Sequence, residues 1–168
     1  MEDTRPTIRF FGKNGRYAIF SNFADVPLTI NGKDYATSEH YFQSMKFIKT
    51  DPEYAEEVRL AATPLESKKL GRSRAHKIDP EWTDTNGDRE GESIVVMRRV
   101  LFCKALQNAN FRDMLLNTPK DSLIIEASRF DSYWGEGPDK RGKNMLGKLL
   151  MELRDRLVSK KDIMFRGE

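Results

Sequence analysis

Glu39, Gln43 and Lys46 recur at helical spacing in the segment TSEHYFQSMKFIK. At 3.6 residues per turn they stack on one face, with Tyr41, Met45 and Ile48 on the opposite one and Phe42 and Phe47 flanking the polar stripe. Two readings fit this pattern. One is a solvated face with a Glu39–Lys46 pair across two turns. The other is a carboxylate and an amine lining a pocket with aromatic walls. Desolvation and mutual charge in such a pocket bring both groups toward neutral pKa values, which suits proton transfer or attack by an amine.

A second segment with chemical potential is RFDSYWGEGPDKRGKN. Tyr133 and Trp134 place two rings beside Gly135, a residue that lets backbone approach a ligand closely. Asp131 and Glu126 precede them, and the run from Lys140 through Lys143 to Asn144 leads into a helix start. Backbone amides at such a start, with cations nearby, favour phosphate. The competing reading is a surface loop with a tryptophan packed on the core. Asn22 and Phe23 follow an apolar run, as a turn or as ligand contacts. Gly71 reads as a helix C-cap, and Arg72 as a solvated cation or a diphosphate partner.

Other chemistries are poorly supplied. His40 and His76 are the only histidines and Cys103 the only cysteine, which argues against a zinc site, a disulfide framework or a serine–histidine triad. Cys103 lies in the apolar run VMRRVLFCKAL and reads as an inert buried thiol. No metal or cofactor is expected. With 168 residues, 38% hydrophobic and 33% charged, the chain has the balance of one globular domain, with a core over about 8–157 and a frayed tail over 158–168. The net charge of +3 permits contact with phosphate without demanding nucleic acid, and no basic run or recognition helix is evident. There is no signal-peptide core and no apolar stretch long enough for a membrane span, so a cytoplasmic protein is expected.

The elements that must position these residues can be read from punctuation and period. TIRFF, YAIF and VPLTI read as strands, and Asn31-Gly32 as a two-residue hairpin turn into KDY. Thr37 or Ser38 caps a helix to about Ile48, and Asp51-Pro52 opens another. Thr63-Pro64-Leu65-Glu66 forms a capping box before a third. Residues 75–89, with Pro80 and Gly87, read as a loop. A long helix from Gly91 to Asn108 follows, with an apolar stripe of Ile94, Met97, Leu101 and Leu106. NFRDMLLNT is a short helix, SLIIEA a buried strand and MLGKLLMELRDRLVSK the closing helix. The fold class is α+β, mostly helical, with one small sheet.

In order along the chain, FSNF at 20–23, TSEHYFQ at 37–43, KF at 46–47, GR at 71–72, YWGEG at 133–137 and GKNMLGKLLMELR at 142–154 resemble the NADAR family. The resemblance spans nearly the whole chain. It implies an α+β fold and hydrolysis of an N-glycosidic bond at ribose C1. Two substrate classes go with it: phosphoribosylamino pyrimidine intermediates of riboflavin biosynthesis, and ADP-ribose on guanine bases of DNA or RNA. It implies catalytic roles for Glu39, Lys46 and Asp131, the last as a partner for ribose hydroxyls. Asn22, Phe23, Gln43, Arg72, Tyr133, Trp134, Gly135, Lys143 and Asn144 are implied as substrate contacts. Glu39-activated water and a Lys46 imine are both chemically open. The alternative class is a module that binds ADP-ribose or a related nucleotide without turnover. Such a module needs rings and phosphate contacts, but not the Glu39/Lys46 pair.

Overall fold

The computed structural model describes residues 3–83 and 90–165, with side chains described to residue 160. Residues 84–89 of the expected loop, Gly87 among them, lie outside the described residues. The chain forms two compact units: residues 22–107 make one, and residues 1–21 together with 108–168 make the other.

In the first of these, β2 (Leu28–Ile30) and β3 (Lys33–Tyr35) pair antiparallel, with Leu28 opposite Tyr35. Asn31 and Gly32 both adopt positive φ, 52° and 76°, as the Asn-Gly turn requires. α1 (Ser38–Met45) starts at Thr37, whose hydroxyl accepts from the His40 amide. It stops at Met45 rather than Ile48, and Ile48 is exposed. α2 (Pro52–Arg59) is capped by Asp51, and α3 (Pro64–Leu70) by Thr63, with proline in the first turn of each. Glu66 completes the α3 cap by accepting from the Ala62 amide at 2.7 Å. α1 packs against α2, α3 and α4 (Glu92–Gln107), which explains why it is buried nearly all round. Phe47, Tyr54, Ala55 and Val58 form a core under α1 and α2, with Leu70 against it.

On α4 the buried stripe is Ile94, Met97, Val100, Leu101, Lys104 and Ala105, while Leu106, expected in the stripe, is exposed. Lys104 takes the inward position because it stands seven residues, two turns, after Met97. Trp82 is buried against Phe42, with ring centroids 5.1 Å apart, a packing role.

In the second unit, β1 (Thr7–Phe10) pairs in parallel with β4 (Leu123–Glu126), Thr7 opposite Leu123. Two separate two-stranded sheets therefore replace the single sheet expected. YAIF is not a strand: Ala18–Phe20 form a 3-10 turn that drives Phe20 into the core, edge-on to Phe10 and Phe111. Burial of an aromatic anchor overrides the β propensity of that run. In β4 only Ile124 is fully buried, because the sheet has just one neighbouring strand. α6 (Met145–Phe165) packs on β4, and α5 (Ala109–Leu116) packs on α6. Arg154, buried on α6, donates to Thr118 Oγ1, Pro119 O, Ser122 Oγ and Ser122 O, which ties α6 to the connection between α5 and β4. The closing helix continues to Phe165, into the tail over 158–168 expected to be frayed. Among the described residues no helix is long and apolar enough to cross a membrane.

Candidate active site

The stripe on α1 is not a solvated face. Glu39 is 6% exposed and Gln43 4%, so the reading with inward polar groups holds for both. Gln43 Nε2 donates to Glu39 Oε1 at 2.6 Å. This i,i+4 bond fixes one carboxylate oxygen within the helix. Lys46, the residue that caps α1, is partly buried and donates from Nζ to the carbonyl of Gly71 at 3.1 Å. Its Nζ also lies 5.9 Å from the centre of the Phe42 ring. Phe47, expected to flank the stripe, belongs to the core with Tyr54.

Burial lowers the Lys46 pKa from 10.5 to about 8. Glu39 opposes that shift, while the Arg72 and Lys68 cations reinforce it. A neutral amine is therefore accessible near physiological pH, as a lysine nucleophile needs.

The end of α3 completes the cluster. Gly71 caps α3 in a right-handed conformation, φ −63°, so its glycine is not there for a left-handed cap. A Cβ on Gly71 would collide with Gln43 Oε1 and lie 2.8 Å from Gln43 Cδ. That same Oε1 is buried with no hydrogen-bond partner among the described residues. A buried acceptor without a partner costs about 1–3 kcal/mol, so the arrangement is not one that stability alone favours. Arg72 is exposed beside Gly71, and Lys68 Nζ sits 5.6 Å from the Phe23 ring centre. Lys68 was not singled out from the sequence; its spacing of four from Arg72 at a helix end was the available signal.

Asn22 is held by the protein itself. Its Oδ1 accepts from Ser38 Oγ at 2.9 Å, its carbonyl accepts from the Glu39 amide at 3.1 Å, and its Nδ2 lies 3.3 Å from Met97 Sδ. It anchors the FSNF segment to the start of α1.

The 127–144 loop is organised differently. Asp131 Oδ1 accepts from the amides of Tyr133 and Trp134 at 2.9 and 2.7 Å. This Asx-type turn sets the two rings edge-to-face, 5.1 Å apart. Lys143 Nζ lies 5.3 Å over the Tyr133 ring. Gly135 is buried, and a Cβ there would come within 2.9 Å of Ser128 Cβ and 3.0 Å of Glu126 O; internal packing already requires glycine. Asn144 caps the edge of β4, accepting from the Glu126 amide at 3.0 Å and donating to Ile124 O at 2.8 Å.

The backbone amides expected to face phosphate at the start of α6 are engaged within the protein. The amides of Lys143, Asn144, Met145 and Leu146 donate to the carbonyls of Ser132, Gly135, Tyr133 and Trp134. The loop folds back and caps the helix with its own backbone, so those donors are already paired. Tyr133 remains exposed, with Lys143 over its ring.

The remaining candidates resolve simply. His76 Nδ1 is 2.7 Å from Asp51 Oδ2 and stacks flat on Tyr54, centroids 3.5 Å apart. Cys103 is only partly buried, not fully as expected, and burial raises its pKa, which keeps the thiol unreactive. Among the described residues no group of three or more His, Cys, Asp and Glu could hold a metal ion.

The chain matches the NADAR domain over residues 9–158. It is 40% identical over 161 residues to N-glycosidase YbiA of Escherichia coli (strain K12), covering 96% of this chain and 93% of that protein. It is 36% identical to the riboflavin biosynthesis protein PYRR, chloroplastic, of Zea mays, covering 90% of this chain and 25% of that longer protein. The NMR structure of Escherichia coli YbiA superposes with a TM-score of 0.80 at 38% identity, covering 95% of this chain and 89% of that one. A domain match that runs through both compact units, with a 40% identical relative aligned along nearly its whole length, establishes that the chain belongs to the NADAR family.

Proposed function

We propose that this protein is a hydrolase of the N-glycosidase type, cleaving the bond between ribose C1 and an amine nitrogen, with both units serving one functional domain. The observation that carries the reading is the Glu39–Gln43–Lys46 cluster: a buried carboxylate held by an amide, beside a lysine amine lowered to about 8. A nucleotide-reading module has no use for that pair, and burying it is unfavourable unless it does chemistry. The relatives named N-glycosidase support the same class.

Lys46 is the proposed nucleophile. Once the ribose ring opens, its neutral amine adds to C1 and gives a proton to the Glu39 carboxylate; the C1–N bond to the base breaks as Glu39 returns that proton to the leaving nitrogen. The resulting lysine imine is hydrolysed when water adds to C1, which releases the sugar and restores the amine. In the competing route, Glu39 activates water directly against an oxocarbenium-like C1. Asp131 is the proposed partner for ribose hydroxyls. Phe23, Tyr133 and Trp134 are the proposed ring contacts, Arg72 and Lys143 the phosphate contacts.

The substrate we favour is a phosphoribosylamino pyrimidine, because a relative carries a riboflavin-biosynthesis name. ADP-ribose on guanine in DNA or RNA shares the same C1–N chemistry. A cytoplasmic site of action fits either substrate. Parallel incubation with the pyrimidine intermediate and with guanine-ADP-ribosylated DNA separates them: base release from the first alone supports the favoured substrate, from the second alone reverses it. Turnover of neither, with nucleotide binding retained, returns the protein to the binding-module class.

A further inference from the structure

We infer that Gly71 is a positioning residue for the proposed hydrolysis: its missing side chain lets Gln43 hold Glu39, and its carbonyl fixes the Lys46 amine. The inference rests on the reading of Glu39 and Lys46 as the reacting pair.

Conformation does not explain this glycine. At φ −63° its backbone is open to any residue, and α3 ends there in a right-handed turn. Alanine at such a position is ordinarily tolerated or stabilising, because it restricts the unfolded chain. Contact does explain it. A Cβ would strike Gln43 Oε1, approach Cδ at 2.8 Å and touch Gln43 Cβ at 3.1 Å. Oε1 and Cδ are the far end of a flexible side chain, so the amide must swing, while the approach to Gln43 Cβ asks the backbone to give by only a few tenths of an ångström. Swinging it withdraws Nε2 from Glu39 Oε1, now 2.6 Å away. The buried, unpartnered Gln43 Oε1 marks an amide set for what its other end does. On the far side of the same residue, Gly71 O receives Lys46 Nζ at 3.1 Å. One residue at the end of α3 thus contacts both arms of the pair, without offering any side chain to substrate.

The test compares the parent, Gly71→Ala, Gln43→Ala and the double variant by thermal melting, by kcat and KM on the pyrimidine intermediate, and by the Gln43 side-chain amide signals. Gly71→Ala is expected to melt at or above the parent temperature while kcat falls at least about 10-fold with KM nearly unchanged. The acid limb of its kcat–pH profile should move to higher pH, since a carboxylate that loses a donor is harder to ionise. On the Gln43→Ala background the Gly71→Ala change should cost nothing further, the sign that both act through one contact. Equal losses in both backgrounds, or a Gly71→Ala variant with parental kcat and pH profile, overturn the inference. A parent without turnover would sink the hydrolase reading instead. The Gln43 amide signals then decide the contact alone: shifted in Gly71→Ala they uphold it, and unmoved they overturn it.

Discussion

The α1–α3 cluster and the 127–144 loop each gather residues with chemical potential, but they are held by opposite means. In the cluster, side chains do the holding: Gln43 Nε2 grips Glu39, and Lys46 Nζ reaches the backbone carbonyl of Gly71. In the loop, backbone holds backbone: four amides at the start of α6 are bound by four loop carbonyls, and Asp131 and Asn144 act as caps. Side-chain constraints leave polar groups strained, desolvated and shifted in pKa, which is the condition for reactivity. Backbone constraints leave a loop with Tyr133 and Lys143 exposed and Trp134 half-buried, which suits binding. The cluster is the region to break for chemistry, and the loop for affinity or stability.

The largest effect is expected at the cluster. Glu39→Gln keeps the shape and removes the proton-transfer group, so kcat should fall at least about 100-fold while binding survives. Lys46→Arg keeps the charge and loses the nucleophile. It should abolish borohydride trapping of a sugar adduct on Lys46 in the parent, and with it turnover. An active Lys46→Arg without trapping selects Glu39-activated water.

Next is the pH profile. Because burial lowers Lys46 to about 8, kcat/KM should rise roughly 10-fold from pH 7 to pH 9 and level off above it. A flat profile over that range would remove the neutral amine from the mechanism.

The loop should respond differently. Trp134→Ala is expected to raise KM about 10-fold with kcat little changed, because a lost ring contact is common to ground and transition states. A fall in kcat alone would place Trp134 in the chemistry. Asn144→Ala removes two hydrogen bonds to β4 and should lower stability by about 1–3 kcal/mol, read as a drop of several degrees in Tm. KM should stay near parental, which separates a cap from a substrate contact.

The smallest effect is expected at Lys104, buried and lowered to about 7 by desolvation. Below about pH 7 the ammonium is present in both folded and unfolded chains, and the folded state bears the net cost of holding it inside. Between about 7 and 10.5 only the unfolded chain holds the proton, so this penalty shrinks as pH rises. Lys104→Met should therefore flatten the rise of stability between pH 7 and pH 10, measured by denaturant unfolding of both proteins across that range. A variant whose stability climbs with pH as the parent's does would show that Lys104 is not the group responsible.

The sequence alone determined what is local. Thr37, Asp51 and Thr63 announce helix starts because a cap bonds within one turn, and Asn31-Gly32 announces its hairpin because only a few residue types take positive φ. The α1 stripe was legible for the same reason: helical period alone puts Glu39, Gln43 and Lys46 on one side. Which way that side faces was not, because burial is set by α2, α3 and α4, elements distant in sequence. The parallel pairing of Thr7 with Leu123 has no local signal either, since strands carry no record of their partners. Nor could composition reveal that the amides before α6 are paired to the loop, or that Gly71 yields space to Gln43. A free donor and a bonded one, or a capping glycine and a yielding one, have the same letter. Only the three-dimensional neighbours decide between them.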